Sequence, residues 1–370
     1  MNSDPSYPAF PVFAFLGFIL TLIPLPWHFQ AWNSGTCLYM LWTSLACLNL
    51  FINSLVWHGN ALDVAPVWCD ISSRIIVGVA VAIPAASLCI NRRLYLITSV
   101  QNATITRAEK RRAVIIDLCI GLGIPILQMV LQIIVEGHRY NILEDVGCFP
   151  FTFNTPLAYP LSIIWPIVIG LISSCYCVLT LRSFFKRRAQ FSEFMTSNSS
   201  LTINRYFRLM ALAMTDVLFT VPISAYGIYL NATSNSMSPW RGWADAHFNY
   251  GKVDLIPSAL WRTSYNNEVS VELSRWLVPF SAFVFFGFFG FALEARRNYA
   301  KVFWAVASRL GLKRPSAGLG SSSTFFSRKR SKASPLPMHS AGSLPSFVMP
   351  KAPRMKRDSL FSLSPSSTAS

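Results

Sequence analysis

Seven stretches of this chain, near 9–27, 35–58, 67–96, 113–135, 158–181, 206–230 and 273–293, are apolar over a length that crosses a bilayer. A hydrocarbon core about 30 Å thick takes roughly 20 helical residues, each rising about 1.5 Å, whereas a barrel strand needs only about 10. With no water at that depth, each span must satisfy its own backbone hydrogen bonds, which a helix does alone. The expected fold is therefore an all-α membrane protein, a bundle of seven transmembrane helices. Charged residues make up 13% of the 370-residue chain, about half the roughly 25% of ordinary soluble domains. A net charge of +16 would suit a nucleic-acid binder, but long apolar runs do not, so no nucleic acid is expected as a partner. The opening "MNSDPSYPAF" lacks the Lys or Arg of a cleaved leader, and the first run is read as a retained span.

Positive residues stay on the cytoplasmic side of a membrane, so their distribution orients the bundle. The loop at 97–112 and the helix end before it hold six Lys and Arg, the 182–208 region holds six, and 294–370 holds 14. The opposite loops hold four: Arg139, Arg241, Lys252 and Arg262. This places the N-terminus outside and the C-terminus inside, with membrane lipids and protein partners meeting the basic face. Residues 1–293 form the bundle. The pattern Val302, Phe303, Val306, Leu310 within 294–312 suits an amphipathic helix on the membrane surface, or a short continuation of the seventh span. Residues 313–370 are rich in Ser, Pro and basic residues and are expected to be a disordered cytoplasmic tail.

Three motifs give this topology a more specific meaning: "LPWHFQAWNSG" at the first turn, "PVWCDISSR" entering the third span and "LCINRRLY" leaving it. In combination they are similar to the fungal mating-pheromone receptors of the a-factor, or lipopeptide, type, over about residues 10–295. The resemblance implies a G-protein-coupled receptor that binds a farnesylated, carboxymethylated peptide pheromone. It further implies a heterotrimeric G protein as partner and a MAP-kinase mating response, and a mushroom-type mating-locus product fits. A receptor dimer is compatible with it, and no cofactor or metal is implied. The competing class, a transporter of a small apolar or lipid-like solute, would need a polar midplane site between paired halves, and the sequence has no internal repeat. No HExxH, CxxC pair, GxGxxG, P-loop or Ser/His/Asp elbow supports an enzyme.

Polar groups in or beside the spans are the candidate functional residues. Asp70 and Arg74, four apart on one helical face, are read either as an intrahelical pair or as ligand contacts. Pro84 predicts a kink in the third span, and Asp216 with Pro222 a polar contact beside a second kink; together they suit a two-state switch. Arg92 and Arg93 stop the third span and, with Lys186, Arg187 and Arg188, are candidates for G-protein coupling. Asp117 is expected to pair with Arg111 or Arg112, and the amides Asn49, Asn53, Gln128 and Gln132 to bridge helices. Cys69 and Cys148 are the only cysteines on the outer side, which predicts a disulfide. The long loop at 231–272 carries Trp240, Trp243, Tyr250, Trp261 and Tyr265, which either float at the headgroups or guide a prenylated peptide, with Trp243 and Tyr265 as ligand contacts. In the tail, Ser331, Ser334, Ser359 and Ser364 lie beside basic residues or before proline and are candidate phosphorylation sites.

Overall fold

The computed structural model describes residues 4–99, 106–186, 203–234, 236–291 and 293–309. Each apolar run is a helical segment long enough to cross a membrane. Pro24 breaks the first into α1 (Ala9–Leu22) and α2 (Leu25–Gln30). The second and third are α3 (Ser34–Val56) and α4 (Pro66–Ser99), the latter continuous through Pro84. The fourth is α5 (Arg107–Leu118), a π-helical turn over Cys119–Gly123, and α6 (Ile124–Ile134). Two strands follow, β1 (Tyr140–Leu143) and β2 (Gly147–Phe149), and then a second π turn, Tyr159–Ile163, leads into α7 (Trp165–Lys186). The sixth span is α8 (Ile203–Ser234), with Pro222 inside it. After it come α9 (Trp243–Ala246), β3 (Val253–Ile256), α10 (Ser258–Trp261), the seventh span α11 (Tyr265–Phe289) and α12 (Leu293–Arg309).

The seventh helix begins at Tyr265, well before the expected 273, so Tyr265 opens a helix and does not belong to the loop. Asn266, Asn267, Glu268, Glu272 and Arg275 make its first turns too polar for a hydropathy window, although they are helical. At the other end α12 supplies a helix over most of 294–312, but the side chains of Val302, Phe303 and Val306, and all of Leu310, lie outside the described residues. The expected tail, 313–370, lies outside them too.

Helix α4 runs through the middle of the bundle and touches α3, α6, α7 and α8. Lipid tails are as apolar as Leu, so burial from water does not draw these helices together; close packing does, and small residues permit it. Ala82, Ala85, Ala86 and Cys89 of α4 are fully buried. Gly35 of α3 shows how near the backbones come, since a Cβ there would lie 3.1 Å from the Ile90 amide nitrogen. Around this contact Tyr39, Met40, Leu94, Tyr206, Leu212 and Phe285 form the largest core cluster. Leu41, Leu45, Leu171, Ile172 and Leu218 point outward, as a lipid-facing surface requires.

Both π turns sit four residues before a proline's missing donor. Pro125 cannot donate to the Gly121 carbonyl, and the Trp42 Nε1–H of α3 donates to it instead at 2.9 Å. Pro166 likewise leaves the Ser162 carbonyl free, and the Gln128 amide of α6 donates to it at 3.3 Å. The fourth span is thereby joined to the second and the fifth by side chains that complete broken helices.

One end of the bundle carries a three-stranded sheet in the order β2-β1-β3. β1 pairs antiparallel with β2, Ile142 opposite Cys148, and parallel with β3, Ile142 opposite Leu255. The tight turn between β1 and β2 ends at Gly147, whose φ of +91° suits glycine, and a Cβ there would meet Asn53 at 2.7 Å. The sheet thus lies directly on the end of α3.

Candidate ligand cavity and the ion-pair clusters at its two ends

Inside the bundle is a cavity of about 390 Å³. Tyr39, Asn49 and Asn53 of α3 line it with Val79, Ile83 and Pro84 of α4, Phe219 and Ile223 of α8, and Arg275 and Val278 of α11. Cys148 and Phe149 of β2 close its sheet end. Its walls are mainly aliphatic and aromatic, with few polar groups, the composition of a site for an apolar ligand.

The roof is fixed in several ways. Cys69, in the first turn of α4, is disulfide-bonded to Cys148, with Cα atoms 5.1 Å apart. Trp57, Tyr140 and Ile142 are fully buried around that bond. Burial, and then the Asp63 carboxylate 3.2 Å away, pushes the Tyr140 hydroxyl up to about 12, so it remains protonated and donates to Asp63. Asp70 and Arg74 do not pair with each other. Asp70 takes both ends of the Arg139 guanidinium, with Nε at 2.6 Å. Arg74 binds Glu136 and Gln132, and the Tyr250 hydroxyl donates to the same Glu136 at 2.8 Å. The loop after the fourth span brings Arg139 and Glu136 over the helix end, and a two-pronged Arg–carboxylate contact outcompetes an i,i+4 pair. Neither Asp70 nor Arg74 lines the cavity.

Arg275, 2% exposed, enters the cavity wall as a buried cation. Its Nη2 reaches Asp4 at 3.2 Å and Ser6 at 2.8 Å, its Nη1 reaches Glu272 at 3.3 Å, and its guanidinium lies 4.1 Å from the centre of the Phe10 ring. Asp4 also accepts from Arg262 at 3.0 Å. Burial works to raise the Asp4 carboxyl, but the Ser6 amide and hydroxyl and the two guanidinium groups overcome it and hold the carboxyl below its ordinary value. An arginine inside an apolar run is a strong signal. Arg275 lies inside the expected 273–293 span and is therefore legible in the sequence, although its partners Asp4 and Ser6 are not.

At the basic end Asp117 is buried and pairs with Arg92 at 3.1 Å while the Ser34 hydroxyl donates to it. Arg111 and Arg112, the expected partners, are exposed on the opposite side of α5, so the carboxylate turns into the bundle. Arg93 donates to the Trp32 carbonyl. Asn91, beside them, donates to Ser173 of α7 at 2.8 Å. Lys186 is exposed at the end of α7, and Arg187 and Arg188 lie outside the described residues.

Of the remaining expected positions, Pro84 lines the cavity and Pro222 sits in α8 off its wall, while the side chain of Asp216 lies outside those described. Trp243, stacked on His247 at 3.8 Å, and Tyr265 are exposed near the sheet end and do not line the cavity. Gln128 and Gln132 bridge helix to loop or helix as expected, Gln132 donating to the Phe151 carbonyl at 2.9 Å. Ser331, Ser334, Ser359 and Ser364 lie outside the described residues.

The sequence relatives agree with this architecture. The family described as STE3, Pheromone A receptor, matches residues 9–310. The chain is 55% identical over 310 residues to the Pheromone B alpha 3 receptor of Schizophyllum commune, covering 84% of this chain and 49% of that protein. It is 37% identical over 295 residues to Pheromone receptor 1 of Mycosarcoma maydis, covering 79% and 82%. With the Pheromone a factor receptor of Saccharomyces cerevisiae it shares 22% identity over 291 residues, covering 77% and 59%. The chain spans about half the length of the Schizophyllum relatives it matches. A match across all seven spans, with the bundle they form, makes this chain a multi-pass plasma-membrane protein and a member of the STE3 pheromone A receptor family.

Proposed function

We propose that the chain is a G-protein-coupled receptor for a farnesylated, carboxymethylated peptide mating pheromone, with its N-terminus outside and its basic loops in the cytosol. The observation that supports this best is the apolar cavity of about 390 Å³ beneath a disulfide-pinned roof. A prenyl chain gains about 0.8 kcal/mol per CH₂ on leaving water, so the pheromone partitions into the bilayer first and reaches the cavity from there. Trp243 and Tyr265, exposed beside the roof, suit the lipid–water boundary where it is collected. Asp70 and Arg74 act on the ligand through the roof that they hold.

Pro84 lies in the cavity wall on the same helix whose far end carries Arg92 and Arg93. A ligand that bends α4 at Pro84, with Pro222 and Asp216 of α8 forming the second half of the switch, shifts that end. Arg92 then leaves Asp117 and, with Arg93, Lys186, Arg187 and Arg188, flanks the entering G-protein segment. The heterotrimer so activated drives a MAP-kinase mating response. The test is expression in a reporter cell lacking its own receptors, challenged with farnesylated, carboxymethylated peptides and their unprenylated counterparts. A response confined to prenylated members is expected; an equal response to unprenylated peptides, or none to any, sinks the reading.

A further inference from the structure

The two asparagines on one face of α3 have opposite surroundings. Asn53 has a partner at each of its polar atoms: its Nδ2 donates to Ser72 at 2.9 Å, and its Oδ1 accepts from Trp68 Nε1 at 2.7 Å. Asn49, one turn deeper, is 1% exposed and lines the cavity, yet neither its Oδ1 nor its Nδ2 has a partner. Across the lining, on α11, Arg275 repeats the pattern. Its two Nη atoms are held by Asp4, Ser6 and Glu272, while its buried Nε has no partner.

Native interiors leave few buried polar groups unmatched, and an amide lacking both of its bonds is costly to keep. Asn49 makes none of the helix-bridging bonds that are the general expectation for such residues. The unmatched atoms also specify what would match them. Along one edge a primary amide presents an N–H donor and the C=O acceptor side by side, with a second N–H pointing away. An isoprenoid chain has neither. A residue of an extended peptide has both, because its own N–H and C=O point to the same side, the geometry by which one β-strand pairs with another.

We infer that Asn49 pairs with the main chain of the ligand's peptide portion inside the cavity, and that Arg275 Nε–H donates to a further ligand carbonyl. This rests on the receptor reading above and deepens it. The cavity holds the peptide next to the lipid, and Asn49 reads that peptide by its backbone, whatever its side chains. Asn49 therefore sets the preference for a lipopeptide over a bare prenyl group, while discrimination among pheromone sequences is made elsewhere.

The test uses the full chain carrying Asn49→Leu, close in shape and without hydrogen bonds. Two probes are compared: the farnesylated, carboxymethylated synthetic peptide that best activates the wild type, and S-farnesylcysteine methyl ester alone. The variant is expected to bind the peptide about tenfold or more weakly and the small ester within about twofold of wild type. Its melting temperature in detergent is expected to be unchanged or higher, since an unmatched amide has been removed. N-methylation of the peptide's backbone amides, one at a time, should find a position that weakens binding to wild type but not to the variant. A lowered melting temperature, equal losses for both probes, or no loss for either overturns the inference. A wild type that binds no prenylated peptide removes the receptor reading itself, and this inference with it.

Discussion

Among single residues, Asp4 and Arg275 carry the most charge chemistry. Both are almost wholly buried, and together they fasten the segment before α1 to α11. Asp4→Asn leaves Arg275 with Glu272 and Ser6 but removes charge-assisted bonds to two guanidinium groups, a loss of roughly 1.5–3 kcal/mol. A lower melting temperature in detergent at neutral pH is the expected result. Because the folded carboxyl titrates below its unfolded value of 3.8, its contribution is complete above that value and fades as the pH falls through the lower one. The gap between wild type and variant should therefore be constant near neutrality and close below 3.8; a gap that persists in acid would show that Asp4 acts by shape alone. This pair could not be read from the sequence. The two residues are almost the whole described chain apart, and no local spacing relates them. The same holds for Asp117, whose neighbours in sequence suggested Arg111 and Arg112 while the bundle supplied Arg92.

The helices themselves were legible, because apolar length is a property of consecutive residues. Their breaks were legible only in part. Proline marks where a donor is missing, but what replaces it lies on another helix, as Trp42 does for Gly121. That dependence can be measured. Trp42→Phe should leave the Gly121 carbonyl without its donor in the membrane interior and lower stability by about 1–3 kcal/mol. Pro125→Ala returns a backbone N–H to the same carbonyl, so in that background Trp42→Phe should have little further effect. Thermal denaturation of the two single variants and the double variant gives the coupling. Additive losses would mean that the indole stabilises α3 by packing and not through its N–H.

For the molecule as a whole, the order of the spans predicted which loops share an end, and cysteine placement predicted the bond between Cys69 and Cys148. The cavity was not predictable, because its walls come from α3, α4, α8 and α11 and no stretch of sequence holds them together. The basic segment after the bundle invites a separate prediction. Ser331, Ser334, Ser359 and Ser364 each lie beside basic residues or proline, and phosphate there adds roughly −1.5 to −2 charge per site, weakening attraction to an anionic leaflet. A chain cut after Lys313 should still answer pheromone in the reporter cell, remain at the surface longer and lose its signal more slowly. Unchanged decay would make those serines passive, and a silent receptor would move part of the coupling surface beyond residue 313.

The roof joins segments that belong to different pairs of helices. β1 and β2 follow the fourth span, β3 follows the sixth, and the disulfide anchors both to the third. A ligand seated beneath it can leave through water only if that shared sheet gives way, and several contacts must open together for this to happen. The lipopeptide proposed above, having come from the bilayer, goes back the same way, so the roof sets the route of escape, through the membrane and not through water.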